Sequence, residues 1–360
     1  MTAPVTPEVL HYVGCDDDSG GVISVIRALA AAGQFACILG TNAGAQQRRT
    51  PPLPVLELPR VAGENIGLRN AWRTRRVAQA VQVWLHAAPG RVFHGHSRAG
   101  LLVGLWLHRL GEKRVVVSVH CYGRQRWFYR WAARQLGGKL YWLSPAMRRY
   151  YGAGGEGWAQ CIPGSVPGEM VVPAPAAAAA LRLGGAGLLA RWKGWHLVLE
   201  GLAQLPEAQR RQVTFEHIGG TSADRGTQLY AEELRALTGR LGLEGQVRWC
   251  GPEPDATRLM GAIDALVIAS QNEPFSVALL EALAAGVPVL AADSGGTVDI
   301  IQPGKNGWLF RSGDADSLAA RLGELLADPA ARRLDRDEIR RTSVYAPPVA
   351  QRWAGVYAGL

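Results

Sequence analysis

The run from Ala265 to Ile301 constrains the fold more than any other part of the chain. Ala265-Leu266-Val267-Ile268-Ala269 is a short continuous apolar run, as expected of a strand buried on both faces. It delivers the polar turn Asn272-Glu273-Pro274. Val277, Leu280, Glu281, Leu283 and Ala284 then follow helical spacing, and Gly286 ends the helix. Val287 to Leu290 predicts the next strand, and Ser294-Gly295-Gly296-Thr297 a glycine turn into a further helix. Strand, loop, helix, strand and glycine loop form the unit of a parallel α/β sheet, because parallel neighbours need a crossover between them. Such sheets bind ligands outside the carboxyl ends of their strands, where these polar residues fall.

Two carboxylates frame that helix. Glu273 precedes it and Glu281 lies inside it, with seven residues between them. Phe275, Ser276 and Val277 stand where the helix begins. Backbone N–H groups there lack intrahelical partners, and the positive helix end suits a phosphate. One glutamate ahead of that phosphate and one behind it can grip a sugar and a ribose. On residues alone, two glutamates at this spacing are weak evidence, and a loop charge and a solvated helix residue remain open readings.

The pattern as a whole resembles the retaining GT-B glycosyltransferases of family 4. Their hallmark is Glu-x7-Glu within E-P-F-G…E-A-(M/L)-A-x-G-x-P-V…G-G; this chain carries EPFS, EALAAGVPV and SGGTVD. Ser276 replaces the usual glycine and Asp299 the usual glutamate. The resemblance implies two Rossmann-like doubly wound domains, a nucleotide-sugar donor held by the C-terminal one, and no cofactor or metal. It also implies that Glu273 orients the hydroxyls of the transferred sugar and Glu281 holds the ribose.

A chain of 360 residues suits two domains, each able to bury a core. We expect residues 1–170 and 171–345 to form them, with 346–360 a terminal helix returning to the first. No apolar run reaches the roughly 18 residues of a membrane span, and the N-terminus lacks signal-peptide character. The five cysteines are scattered without C-x-x-C spacing, so neither a disulfide framework nor a zinc site is suggested. A cytoplasmic protein is expected, in places peripheral to the inner face of the membrane. The net charge of +9 is uneven: residues 1–170 hold 20 Lys+Arg against 9 Asp+Glu, the remainder 19 against 21. The first half therefore expects an anionic partner.

In that half, Val9 to Val13 predicts a strand leading to Gly20-Gly21 and a helix from Val22. A glycine pair at this position lets a ligand approach the backbone and the helix amides. It resembles the family's N-terminal glycine loop, which implies contact with the donor diphosphate and the acceptor. Asp16 and Asp18 form a D-x-D, which we do not read as a metal site because that motif belongs to the other glycosyltransferase fold. Further strands are expected at Phe35–Leu39, Val55–Leu58, Arg91–His94, Val115–Val119 and Leu140–Leu143. His94-Gly95-His96-Ser97 and His120-Cys121-Tyr122-Gly123 end two of them. No acidic or cysteine partner sits at ligand spacing, so the histidines do not read as metal ligands. His120 resembles the family histidine that faces the transferred sugar. Asp18, Ser97, Arg98 and Tyr122 are the candidate acceptor contacts. Leu68–Ala87 and Arg124–Lys139 mix arginines with Trp72, Trp127 and Trp131. That suits a helix dipping into anionic headgroups if the tryptophans face outward, and an ordinary solvated helix if they pack inward. No nucleic-acid motif accompanies the charge.

In the second half, Cys161 to Val166 resembles the family segment that ends the first domain, and a proline- and alanine-rich linker follows. A strand is expected at about Gly185–Ala190, then Arg191-Trp192-Lys193-Gly194 and a helix His196–Leu205. Lys193 and Gly194 match the family's G-R-x-x-x-x-K-G segment, whose cations neutralise the donor diphosphate. Leu188 stands where the arginine belongs, so Arg191 is the candidate replacement. Gly219, after the strand Val213–Ile218, and Gly251, after Val247, are expected to border the nucleotide. Gly304–Phe310 predicts a closing strand.

The resulting expectation is sugar transfer from a UDP- or GDP-linked donor to an acceptor hydroxyl with retention. The acceptor would be a saccharide or glycolipid of cell-envelope, lipopolysaccharide-like assembly. Glu273, Lys193 and His120 are the expected catalytic residues, and an anionic membrane surface is the further expected partner. A phosphorylase or nucleotide-sugar epimerase on the same fold, or an inactive binding module, remain alternatives.

Overall fold

A computed structural model describes residues 6–16, 20–47, 51–61, 67–153, 160–173, 180–253, 255–330 and 332–360. Asp18 lies outside the described residues. The chain divides into two units, residues 1–167 with 344–360, and residues 168–343.

The first unit is built on six parallel strands: β1 (Glu8–Tyr12), β2 (Ala36–Asn42), β3 (Val55–Leu58), β4 (Arg91–Gly95), β5 (Val115–Val119) and β6 (Leu140–Trp142). Their spatial order is β3-β2-β1-β4-β5-β6. β5 is buried at every position, as its unbroken run of Val, Ser and Val requires between two helical layers. Right-handed crossovers put the helices Leu68–His86, Arg98–Arg109 and Arg126–Gln135 on one face, since each carries the chain the same way across the sheet. The helix Gly21–Ala31 carries it the other way and so lies on the opposite face. There it packs against the C-terminal helix Ala346–Ala358. Leu10, Tyr12, Val77, Val81, Phe93, Val103 and Leu107 form the main core on the three-helix face.

The second unit repeats the plan with β7 (Leu181–Ala186), β8 (Val213–Ile218), β9 (Val247–Gly251), β10 (Ala265–Ile268), β11 (Val289–Ala292) and β12 (Gly307–Phe310). Their order is β12-β11-β10-β7-β8-β9, the same winding as the first sheet. The two halves thus share a topology that no repeat in the sequence announces. Leu183, Trp195, Val198, Leu199, Phe215, Leu290 and Leu318 lie at the centre of its core.

Several boundaries differ from expectation. The strand expected at Gly185–Ala190 is β7, four residues earlier; the chain turns at Gly187 (φ +138°). Leu188 therefore leaves the sheet, and its carbonyl accepts the indole N–H of Trp195 at 2.9 Å. β11 begins at Val289 rather than Val287, because Pro288 has no N–H to give the ladder. The glycine turn after it opens only the 3-10 turn Gly295–Asp299.

Each sheet reverses its winding between its first and fourth strands, β1/β4 and β7/β10. The carboxyl ends of those pairs are the switch points where crossovers depart in opposite directions and leave backbone uncovered.

Candidate active site

At the β7/β10 switch point, Lys193 and Glu273 meet. Lys193 ends the 3-10 turn Arg191–Lys193 that follows β7, and Glu273 lies in the loop that follows β10. Lys193 Nζ donates to Glu273 Oε2 at 2.7 Å. The side chains are only 15% and 6% exposed, so two charges are held with little water. Lys193 Nζ also stands 4.3 Å from the ring centroid of Trp192.

Glycines make this approach possible. Gly194 has φ +73°, and a Cβ there would stand 2.2 Å from the Ala269 carbonyl oxygen. Gly295 has φ +58°, and a Cβ there would stand 2.1 Å from the carbonyl oxygen of Glu273. The Gly296 N–H donates to that same carbonyl at 2.8 Å, and the Gln271 N–H donates to Trp192 O at 2.8 Å. Ser294 Oγ accepts the Asn272 N–H at 2.5 Å, holding a non-glycine residue at φ +55°. The glycine turn 294–297 thus clamps the Glu273 loop. Sequence reasoning missed Asn272 and Ser294 in this role; their polar character next to a strand end was the available signal.

The helix Val277–Ala284 begins beside this loop. Ser276, in the place of the family glycine, is its N-cap, and its hydroxyl accepts the Leu279 N–H at 3.3 Å. Phe275 and Ser276 are buried, and Val277 opens the first turn, whose leading amides have no intrahelical acceptor. Glu281 is half-buried, one turn into the helix. Gly219 follows β8 and donates its N–H to the carbonyl of Gly251, which ends β9, at 2.7 Å. Arg191 is exposed. Its guanidinium pairs with Glu233 and lies 5.0 Å from the ring centroid of Tyr230, both on the helix Arg225–Arg240.

In the first unit, Gly20 caps the helix that Gly21 opens, with no side-chain cap. Ser97 caps the helix Arg98–Arg109 by accepting the Gly100 N–H at 2.9 Å. Arg98 reaches Cys121 and Tyr129. Tyr122 packs edge-on to Tyr150, centroids 4.7 Å apart.

The histidines gather, and spacing gave no hint of it. His11 on β1 pairs in register with His94 on β4, 83 residues later. His11 Nδ1 lies 2.9 Å from His96 Nε2, and His96 Nδ1 lies 3.0 Å from His120 Nε2. Ligating atoms of His11, His94 and His96 lie within 4.8 Å of one another. His94 spends both nitrogens, on Tyr357 OH at 2.7 Å and Ser118 Oγ at 2.8 Å. Burial lowers the pKa of His11 to about 3 and of His120 to about 4, and holds His94 and His96 well below the usual value, so the rings are neutral.

Over 98% of its length the chain superposes on the whole of Anabaena HepE in complex with UDP-glucose, with a TM-score of 0.74 at 20% identity. It superposes likewise on the apo lipopolysaccharide outer core galactosyltransferase WaaB, at TM-score 0.73 and 17% identity, over 99% of this chain and 100% of that one. The fold is GT-B. Residues 185–341, which carry Lys193, Gly219, Gly251, Glu273 and Glu281, match the family model described as glycosyl transferases group 1. The lipopolysaccharide core biosynthesis glycosyltransferase LpsE of Rhizobium meliloti is 30% identical over 140 residues, 39% of this chain. The D-inositol 3-phosphate glycosyltransferase of Corynebacterium jeikeium is 34% identical over 149 residues, 41% of this chain. The match spans 38% and 35% of those two relatives' own lengths.

Proposed function

We propose that this chain is a retaining glycosyltransferase of family 4, moving a sugar from a UDP- or GDP-linked donor to an acceptor hydroxyl. The observation that carries the reading is the Lys193–Glu273 pair, held at 2.7 Å with little solvent at a switch point. Desolvating two charges costs several kcal/mol, and a buried pair returns little net stability. A pair kept at a ligand-binding position is better explained by the ligand.

On this reading Lys193 transfers its hydrogen bonds from Glu273 to the donor diphosphate. It offsets the charge that grows as the sugar–oxygen bond breaks. Glu273, released, accepts from the sugar hydroxyls and orients the anomeric carbon. The amides of Phe275, Ser276 and Val277 meet phosphate oxygens, Glu281 binds the ribose, and Gly219 and Gly251 border the nucleotide. Retention follows if the departing phosphate oxygen takes the acceptor's proton on the face it leaves. No protein nucleophile, metal or cofactor is invoked. Gly20 and Gly21 in the first unit are proposed to meet the donor diphosphate, His120 the transferred sugar, and Ser97, Arg98 and Tyr122, with Asp18, the acceptor. The names of LpsE and WaaB support an acceptor of lipopolysaccharide type, saccharide or glycolipid.

A cytoplasmic location, peripheral to the inner face of the membrane, is part of the same proposal and rests on the two basic, tryptophan-bearing helices. Among the described residues no helix is long and apolar enough to cross a membrane. Trp72, Trp127 and Trp131 are 67%, 65% and 44% exposed, which favours the outward-facing reading of the two basic helices.

A panel of UDP-, GDP- and ADP-sugars tested by thermal unfolding checks the proposal. A true donor at a hundredfold its Kd adds ~2.7 kcal/mol of stability. NMR of the product then reads the anomeric configuration. A flat panel sinks the donor site, and an inverted product sinks retention.

A further inference from the structure

The mutual hydrogen bonds of His11, His96 and His120 fix which ring atom of His120 is free. A neutral imidazole carries one N–H and one lone pair, so each ring can donate from one nitrogen only. In the chain His11 Nδ1···His96 Nε2 and His96 Nδ1···His120 Nε2, every inner nitrogen is used. Only two polarities are then allowed. If His120 donates to His96 and His96 to His11, then His11 must carry its proton on Nε2. That nitrogen is buried and has no hydrogen-bond partner among the described residues. An orphaned N–H in a core is rarer and costlier than an unfilled lone pair. If instead His11 donates to His96 and His96 to His120, the buried Nε2 of His11 is only an unfilled acceptor. His120 then accepts at Nε2 and holds its proton on Nδ1.

We infer that His11 and His96 are positioning residues that lock His120 in the Nδ1–H form, so that it meets substrate as a hydrogen-bond donor. A neutral donor at this place suits an oxygen acceptor, a sugar hydroxyl or a phosphate oxygen. His94 stands outside the relay: its two nitrogens are committed to Tyr357 and Ser118, which also leaves it none for a shared metal ion. The tautomer assignment depends only on this geometry; its consequence for turnover rests on the proposed function.

Long-range 1H–15N spectra of ring-labelled histidines in the whole protein test it, with rings assigned by single substitutions. The wild type should show Nδ1–H at His11, His96 and His120. His96→Leu removes the donor, so His120 should revert to Nε2–H, with kcat falling ~3- to 10-fold, the worth of one neutral hydrogen bond, and KM for the donor sugar little changed. His96→Asn places an amide N–H near the same point and should recover both the tautomer and most of kcat. An Nε2–H signal at His120 in the wild type would overturn the inference whether or not either variant folds. So would loss of the three ring N–H patterns on adding Zn2+, which would make the cluster a metal site. A protein with Nδ1–H at His120 that transfers no sugar supports the assignment and removes the functional reading alone.

Discussion

Arg191 has two competing partners, the neighbouring Glu233 and the proposed donor diphosphate. It stands near the place of a family cation that Leu188 cannot supply, yet its guanidinium is paired with Glu233. Both partners are substantially exposed, 63% and 43%, and such surface pairs are worth only ~0.2–1 kcal/mol. Charged hydrogen bonds to a diphosphate are worth ~1.5–3 kcal/mol. A bound donor can therefore draw Arg191 away from Glu233 at small cost. Arg191→Ala should lower kcat/KM roughly 10- to 150-fold, while Glu233→Gln, which frees the arginine, should leave it equal or higher. Steady-state kinetics decide. If Arg191→Ala matches wild type, the pair with Glu233 is its whole role and Lys193 serves the diphosphate with the helix amides.

Elements position the site through backbone contacts that tolerate no side chain. Gly194 and Gly242 both have positive φ, but a Cβ at Gly194 would strike the Ala269 carbonyl whereas one at Gly242 meets nothing within 4 Å. Gly242→Ala should cost only the left-handed strain, ~1–2 kcal/mol. Gly194→Ala adds a forced backbone shift and should cost ~2–4 kcal/mol, read by denaturant unfolding of the second unit. Equal costs would mean the turn is not clamped to β10. The same contrast explains what the sequence could reveal. Glu273, Lys193 and the helix Val277–Ala284 sit in short local patterns, where strand, turn and cap residues follow one another, so they were legible. Leu188-Leu189-Ala190 is as apolar as a strand and draws the expected β7 too late; the turn at Gly187 and the Trp195 bond to Leu188 set its true end. The clustering of the histidines was not legible at all, since the strands carrying His11 and His94 become neighbours through the β1–β4 register rather than through spacing.

For the whole molecule, charge and topology lie at different levels. The repeated winding of the two sheets is set by hydrophobic runs, while the excess positive charge is confined to residues 1–170. Arg69, Arg73, Arg75 and Arg76 are exposed beside Trp72, and Arg126, Arg130 and Arg134 beside Trp127 and Trp131, on helices of the same sheet face. Each basic residue near an anionic surface contributes ~1 kcal/mol, weakened by salt. Sedimentation with vesicles should show binding to anionic but not neutral lipid at low ionic strength, reduced in Trp72→Ala/Trp127→Ala. Equal binding to both lipids, or to neither, would leave a soluble acceptor as the better account of the charge.

The proposed donor site is tested most directly by calorimetric titration of UDP and GDP into three proteins. Wild type should bind one of them at a single site, and Glu273→Gln should bind it about as well while turnover falls, since Glu273 is assigned to the sugar. Removing Lys193 alone would strand a buried carboxylate, so Lys193→Ala is made in the Glu273→Gln background. That double variant should bind ~10- to 150-fold more weakly, the loss of ~1.5–3 kcal/mol. Unchanged nucleotide affinity in the double variant would contradict the assignment of this pair to the donor diphosphate and sugar.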